Sequence, residues 1–217
     1  MIATNADREE ATVKLPPDDD VIAALRAGDE ATFATLLDTW SQGMLRVARA
    51  YVSTPEIAEE VVQDTWLAVL GAIGDFEGRS SLKTWIFRIL VNTARKRGAR
   101  ESRTVPWSSV FVPEQAAGEP PVARREAPGR DGGPVADAPE GEVLASEARE
   151  QIWLALACLP LRQRSVLVLR DVEGCTAEEV CEILEISPAN QRVLLHRARM
   201  AVRRRLAGYF EAVRPSA

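Results

Sequence analysis

Thr176-Ala-Glu-Glu-Val-Cys-Glu-Ile-Leu-Glu-Ile-Ser-Pro-Ala-Asn-Gln-Arg192 holds two helix starts within one short segment. A threonine followed three residues later by glutamate is a capping box: the hydroxyl accepts from the amide at the third helical position, and the glutamate reaches back to the cap's own amide. The helix that Thr176 opens runs through Val180 to Leu184; after Glu185 and Ile186, Ser187 caps and Pro188 starts the last helix. Proline fits that position because its fixed φ is helical and its missing N–H is not needed there. Two helices joined by a turn of roughly three residues form a helix-turn-helix, whose second member is the recognition helix.

On that second helix Arg192, His196, Arg199 and Arg203 recur at i, i+4, i+7 and i+11, so they project from one stripe, while Leu195, Ala198, Val202 and Leu206 form the neighbouring apolar stripe. With one face in a core and an arginine stripe outward, such a helix can enter a major groove and bring Asn190, Gln191 and Arg192 to base edges. Upstream, a helix through Ile152 to Leu159 stops at Pro160, and another spans about Leu161 to Val172 before Gly174.

Farther back, Val105 to Gly141 is rich in proline and glycine and shows no helical periodicity, the composition of a linker. The expected organisation is a disordered tail over 1–20, a helical domain over 21–100, a flexible linker over 101–144 and a second helical domain over 145–213. The fold class is all-α, with two small cores, because periods of three and four recur in both blocks and sustained alternation does not. In the N-terminal block a first helix follows Gly28 and carries Phe33, Leu36, Leu37, Trp40, Met44, Leu45, Ala48 and Val52. A second is capped by Thr54, starts at Pro55 and reaches about Ile73; a third starts near Ser80 or Ser81 and buries Leu82, Trp85, Ile86, Ile89 and Leu90.

A net charge of −5 argues against nucleic acid only until its distribution is read. Residues 79–103 hold Arg79, Lys83, Arg88, Arg95, Lys96, Arg97, Arg100 and Arg103 against the single acid Glu101, and residues 187–214 hold seven arginines against Glu211. Two positive faces can therefore meet phosphates on a chain that is acidic as a whole. The longest apolar runs, Leu67 to Ile73 and Trp153 to Leu159, are too short to cross a bilayer, and the start of the chain is polar; no membrane insertion and a cytoplasmic location are expected. Three cysteines and the lone His196 match no metal-ligand spacing, so neither metal nor cofactor is expected. Cys158 and Cys181, in helical apolar patterns, are expected to be buried, and Cys175 partly exposed.

The third helix places Thr84, Arg88, Asn92, Arg95 and Lys96 opposite its core face, with Trp85 and Phe87 interleaved. Aromatics beside cations suit unstacked bases, since rings stack on any base while arginine and lysine hold phosphates; of the two rings, Trp85 fits the core spacing better than Phe87. The loop before the helix, Phe76-Glu-Gly-Arg-Ser-Ser81, leads into a helix N-terminus that can meet a phosphate or an extruded base. The second helix carries Glu56, Glu59, Glu60, Gln63 and Asp64 on one side, with Ile57, Val61, Leu67 and Leu70 turned elsewhere. Without a histidine or a facing carboxylate helix, that run fits a docking surface for a basic protein better than a catalytic pair.

Ala58-Glu-Glu-Val-Val-Gln-Asp-Thr-Trp66 followed by Phe76-Glu-Gly-Arg-Ser-Ser-Leu-Lys-Thr-Trp-Ile-Phe-Arg-Ile-Leu-Val-Asn92 resembles region 2 of the extracytoplasmic-function RNA polymerase sigma factors of the sigma-70 family. Leu159 to Arg164, Asp171 to Gly174 and His196 to Arg199 are similar to their region 4. The resemblance implies a transcription initiation factor and not an enzyme. Glu59, Glu60, Gln63 and Asp64 then correspond to the surface docking on the β′ clamp helices of core RNA polymerase, with the polymerase flap as a further contact. Phe76, Gly78, Arg79, Ser80, Ser81, Trp85 and Asn92 correspond to the pocket for a flipped base of the minus-ten element, and Arg88, Arg95 and Lys96 to the support of the opened strand. Ser187, Asn190, Gln191, Arg192, His196 and Arg199 correspond to the reader of the minus-thirty-five duplex, although Gln191-Arg-Val-Leu194 departs from the family's Val-Arg-Ser-Arg-like run and leaves Arg192 as the match. An anti-sigma partner is implied as well. The alternative expectation is an independent helix-turn-helix regulator of duplex DNA, which needs neither an acidic docking helix nor a single-strand pocket.

Overall fold

A computed structural model describes residues 15–104 and 151–213; residues 105–144 of the expected linker and 1–14 of the expected tail lie outside these residues, whereas 101–104, expected as linker, and 18–20, expected as disordered tail, are helical. Among the described residues the regular structure is entirely helical. The N-terminal block holds α1 (Asp18–Arg26), α2 (Glu30–Ala48), α3 (Pro55–Ala72) and α4 (Leu82–Thr104), with a 3-10 turn Ile73–Asp75 after α3. The C-terminal block holds helical residues 151–157 (α5), then α6 (Leu161–Leu167), α7 (Ala177–Leu184) and α8 (Pro188–Val213).

Helix α1 was not among the sequence expectations, which began the first helix after Gly28. Its first turn carries Asp18, Asp19 and Asp20, favourable against the helix dipole, and it buries Val21, Ile22 and Leu25. Gly28, at φ 75°, ends it: Gly28 N donates to Leu25 O (3.1 Å) and Asp29 N to Ala24 O (3.0 Å), the paired bonds of a Schellman motif. The next residue then caps α2, the Asp29 carboxylate accepting from Thr32 N at 2.9 Å. That hydrogen bond from Thr32 holds the Asp29 carboxyl below its ordinary value.

Thr54 caps α3 ahead of Pro55, as its sequence predicts. Helix α6 passes into a π-helical turn, Val168–Val172, closed by Glu173 N donating to Val168 O at 2.9 Å. Both halves of the capping box at Thr176 and Glu179 are formed. Glu185 then takes a left-handed conformation (φ 57°), and Ser187 Oγ accepts from Asn190 N at 3.3 Å to open α8. The helix-turn-helix read from the sequence is present.

Two cores were expected; the buried side chains form one contiguous cluster instead. Leu36, Met44, Val47, Ile86, Phe87 and Leu90 of the N-terminal block and Val168, Leu169, Val180, Ile183 and Leu184 of the C-terminal block all belong to it. Helix α7 lies against α4, and the π turn against α2. The sequence separates the blocks by composition, but apolar periodicity cannot say which stripe meets which. No helix among the described residues is long and apolar enough to cross a membrane.

Candidate nucleic-acid interface

Helix α4 begins under double control. Asp18 of α1 accepts from Leu82 N at 2.7 Å, and Ser81 Oγ accepts from Thr84 N at 3.1 Å, so the first amides of α4 are satisfied by side chains. The preceding loop is tied down from α1 as well: Arg26 donates from Nε to Ile73 O (3.2 Å) and from Nη2 to Phe76 O (2.6 Å) and Gly74 O (3.4 Å). Neither Asp18 nor Arg26 was singled out from the sequence. The signal was available in the acidic first turn, the Val21, Ile22 and Leu25 stripe and the terminal Gly28, but the placement of α1 against this loop is a tertiary fact.

Loop and helix enclose a cavity of about 370 Å³ lined by Asp75, Phe76, Glu77, Arg79, Ser80, Trp85 and Arg88, with Glu182 of α7 completing the wall. Gly78 makes the turn at φ 70°. Phe76 is buried and packs against the half-buried Trp85, ring centroids 4.9 Å apart at 49°. Trp85 is therefore the ring at the cavity, while Phe87, at 1% exposure, is deep core; the sequence preference for Trp85 as the core ring is reversed. Ser81 spends its hydroxyl on the helix cap, donating to Thr84 Oγ1 at 2.8 Å. Arg79 pairs with Glu77 at 2.7 Å, but both side chains are highly exposed and the pair is weak.

Beyond the cavity, Arg88, Asn92, Arg95 and Lys96 are exposed along α4, as the helical spacing places them. Thr84, expected on that open face, is buried at 3% because α7 covers it, with Glu179 Oε1 at 3.5 Å from its hydroxyl. Arg95 also donates to Leu184 O at 3.3 Å.

On α3, Glu59, Glu60, Gln63 and Asp64 are all exposed. Glu60 is engaged by Arg97. Leu67 and Leu70, expected to face away from these acids, share the exposed side: Leu67 is 69% and Leu70 43% exposed. The helical spacing from Gln63 to Leu67 and Leu70 puts them on that stripe, so the correction is one of wheel geometry.

On α8, Ser187, Asn190, Arg192 and His196 are exposed, and so is Arg199, which is gripped by Asp171 through Nε–Oδ2 (2.8 Å) and Nη2–Oδ1 (2.7 Å). Those bonds raise the Arg199 guanidinium above its ordinary value. Gln191 differs from its neighbours: it is buried at 2% and its Nε2 finds no partner, so in this arrangement it faces the core and not a groove. The cysteines also depart from expectation, with Cys158 exposed, Cys175 buried and Cys181 between. Burial pushes the Cys175 thiol up. No group of three or more histidine, cysteine, aspartate or glutamate residues among the described ones is arranged to hold a metal ion.

A cavity at a helix start, a cationic strip running away from it and a separate helix-turn-helix define a helical DNA-handling protein with two contact modules. Comparison with known proteins makes this specific. The Sigma-70 region 2 model matches residues 36–104 and the Sigma-70, region 4 model residues 149–202, together more than half of the chain. The chain is 25% identical over 189 residues to the ECF RNA polymerase sigma-E factor of Haemophilus influenzae, covering 87% of this chain and 95% of that one. It is 26% identical to the Escherichia coli K12 ECF RNA polymerase sigma-E factor (84% and 90%). In fold it is similar to CnrH in complex with the cytosolic domain of CnrY, with a TM-score of 0.59, 20% identity and coverage of 91% and 99%. It is likewise similar to RpoE from Bartonella quintana in complex with the anti-sigma factor NepR, with a TM-score of 0.55, 23% identity and coverage of 81% and 96%. With both regions present in order, the chain belongs to the sigma-70 family, among its extracytoplasmic-function RNA polymerase sigma factors. It acts in transcription initiation.

Proposed function

We propose that α3 docks on the β′ clamp helices of core RNA polymerase through Glu59, Glu60, Gln63 and Asp64, that the cavity at the start of α4 traps an unstacked base of the minus-ten element, and that α8 reads the minus-thirty-five duplex. The cavity carries the reading. It joins one half-exposed ring, Trp85, to cations that continue down α4 as Arg88, Arg95 and Lys96, with Asn92 beside them. A base stacked on such a ring is held by about 1–3 kcal/mol, the scale of the unpairing cost it offsets. On α8, Asn190, Arg192 and His196 are free to approach base edges from Ser187 onward, while Arg199, held by Asp171, is set for a phosphate.

The nucleotide chemistry belongs to the polymerase; this chain positions and opens DNA. It works in the cytoplasm, where the polymerase is, contacts the polymerase flap through its C-terminal block, and is held by an anti-sigma factor, as the Bartonella quintana protein is in its complex with NepR. The first module spans about 18–104, from the start of α1 to the end of α4, and the second about 145–213, with the residues before and between them as tail and linker.

Run-off transcription from a genomic DNA library with core polymerase tests the assignment. Products above those of core alone, lost when Trp85→Ala and Arg88→Ala are combined, are expected. A chain that binds duplex DNA but neither core polymerase nor single strands would instead be an independent regulator.

A further inference from the structure

We propose that the cavity between α4, α6 and the turn into α8 binds a nucleotide-sized phosphate ester, its anionic head held by Arg95 and Arg162 and its body resting on Leu161 and Leu194. The site stands apart from the DNA contacts proposed above; only its effect on duplex binding rests on that reading.

The cavity measures about 580 Å³, the size of a small-molecule site. Tyr51 after α2, Arg95 of α4, Arg162 and Ser165 of α6, the turn at Glu185, and Asn190 of α8 converge on it. Its charge favours an anion. Two arginines face one acid, Glu185, and the N-terminal end of the 26-residue α8 adds the positive pole of its dipole. Neither arginine is neutralised: Arg95 donates to a backbone carbonyl, Leu184 O, at 3.3 Å, and among the described residues Arg162 pairs with no carboxylate. A guanidinium with donors to spare matches the oxygens of a phosphate.

The cavity wall also carries an unmet polar group. Tyr51 Oη is buried and makes no hydrogen bond. Ser165, beside it, gives its own proton to Leu161 O at 2.8 Å. Burial pushes the Tyr51 phenol up, and Ser165 and Arg95 nearby oppose the rise. Native proteins leave few buried hydroxyls without a partner, and a phosphate oxygen seated against Arg95 completes this one. Away from the arginines the lining changes character. Leu161, 43% exposed, and the half-buried Leu194 offer apolar surface, and the exposed Glu185 can accept from a hydroxyl. An anionic head, a hydroxyl-bearing middle and an apolar ring are the parts of a nucleotide; inorganic phosphate supplies only the first.

Ser187 and Asn190 line the same cavity and also belong to the proposed reader of the minus-thirty-five duplex. Ligand and duplex therefore draw on the same side chains, and each weakens the other to the same degree.

Isothermal titration calorimetry on the full chain tests the site with adenosine monophosphate, ribose phosphate, inorganic phosphate and adenosine. Affinity is expected to fall in that order, with adenosine not binding. Arg162→Ala is expected to weaken adenosine monophosphate about tenfold at unchanged helix content. Tyr51→Phe is expected to weaken it while the thermal midpoint of the free chain stays or rises, because an unmet buried donor is removed. No binding of any phosphate, or wild-type affinity in Arg162→Ala, would overturn the site, and inorganic phosphate binding as tightly as the nucleotide would overturn the nucleotide-sized body. Saturating nucleotide is expected to weaken minus-thirty-five duplex binding about tenfold; an unchanged duplex affinity would overturn the shared use of Ser187 and Asn190. Nucleotide binding by a chain that binds no duplex would uphold the cavity and defeat the reader instead.

Discussion

Replacing Arg26 by alanine is expected to loosen the loop that builds the base cavity. The guanidinium bonds three carbonyls, Ile73, Gly74 and Phe76, across 47 to 50 residues of sequence. Bonds from a charged donor contribute about 1.5–3 kcal/mol each when shielded, but Arg26 is exposed, its longest bond is 3.4 Å, and water competes for all three. A loss of about 1–2 kcal/mol is the discounted figure. If it falls on the loop alone, the open population of the loop rises by about tenfold. Amide hydrogen exchange measures this: Phe76 N, which donates to Ile73 O, and Leu82 N, which donates to Asp18, should exchange about tenfold faster in Arg26→Ala, while amides inside α3 stay as they are. Arg26→Lys, with a point charge and no fork, should fall between. Promoter opening, read by reactivity of unpaired thymines, should decline in the same order. Exchange at Phe76 and Leu82 within twofold of wild type would refute the claim that Arg26 holds the loop.

Three further outcomes follow from the geometry. Phe87→Ala should lower stability in urea by about 3–5 kcal/mol as a deep-core truncation, whereas Trp85→Ala, at a half-buried ring, should cost less and weaken single-strand binding by about 1–3 kcal/mol in a fluorescence titration. Asp29 has a depressed folded value, so the stability it lends is complete above the ordinary carboxylate range and is lost as pH falls through that lower value. Asp29→Asn caps α2 without titrating, so its thermal midpoint should fall less steeply on acidification; parallel acid limbs would contradict this. A maleimide at neutral pH should modify the exposed Cys158 first and reach Cys175, buried and with its thiol pushed up, only on unfolding; mass spectrometry of timed digests gives the order.

What could be read from the sequence was whatever depends on neighbours along the chain. The capping box at Thr176, the Thr54-Pro55 start of α3 and the exposed polar stripe of Arg88, Asn92, Arg95 and Lys96 follow from backbone amides and a 3.6-residue period, and each stands where expected. Even α1 was legible in principle, since Asp18 to Asp20 and Gly28 bracket an apolar stripe. The failures are of another kind. Trp85 and Phe87 exchanged roles because Phe76 packs on Trp85 at the cavity while Phe87 turns into the shared core, and helical spacing does not fix either placement. Gln191 reads as a base contact by its place on the recognition helix, yet the packing of that helix turns it inward.

The sequence by itself determined the helices, their caps, the charge stripes and the two modules, because these are local or periodic properties of the chain. Only the tertiary structure decided that one core joins the modules, that Arg26 and Asp18 build the cavity from a distance, and that Glu179 of α7 covers Thr84, because contacts across 47 to 95 residues arise from packing and leave no period to read.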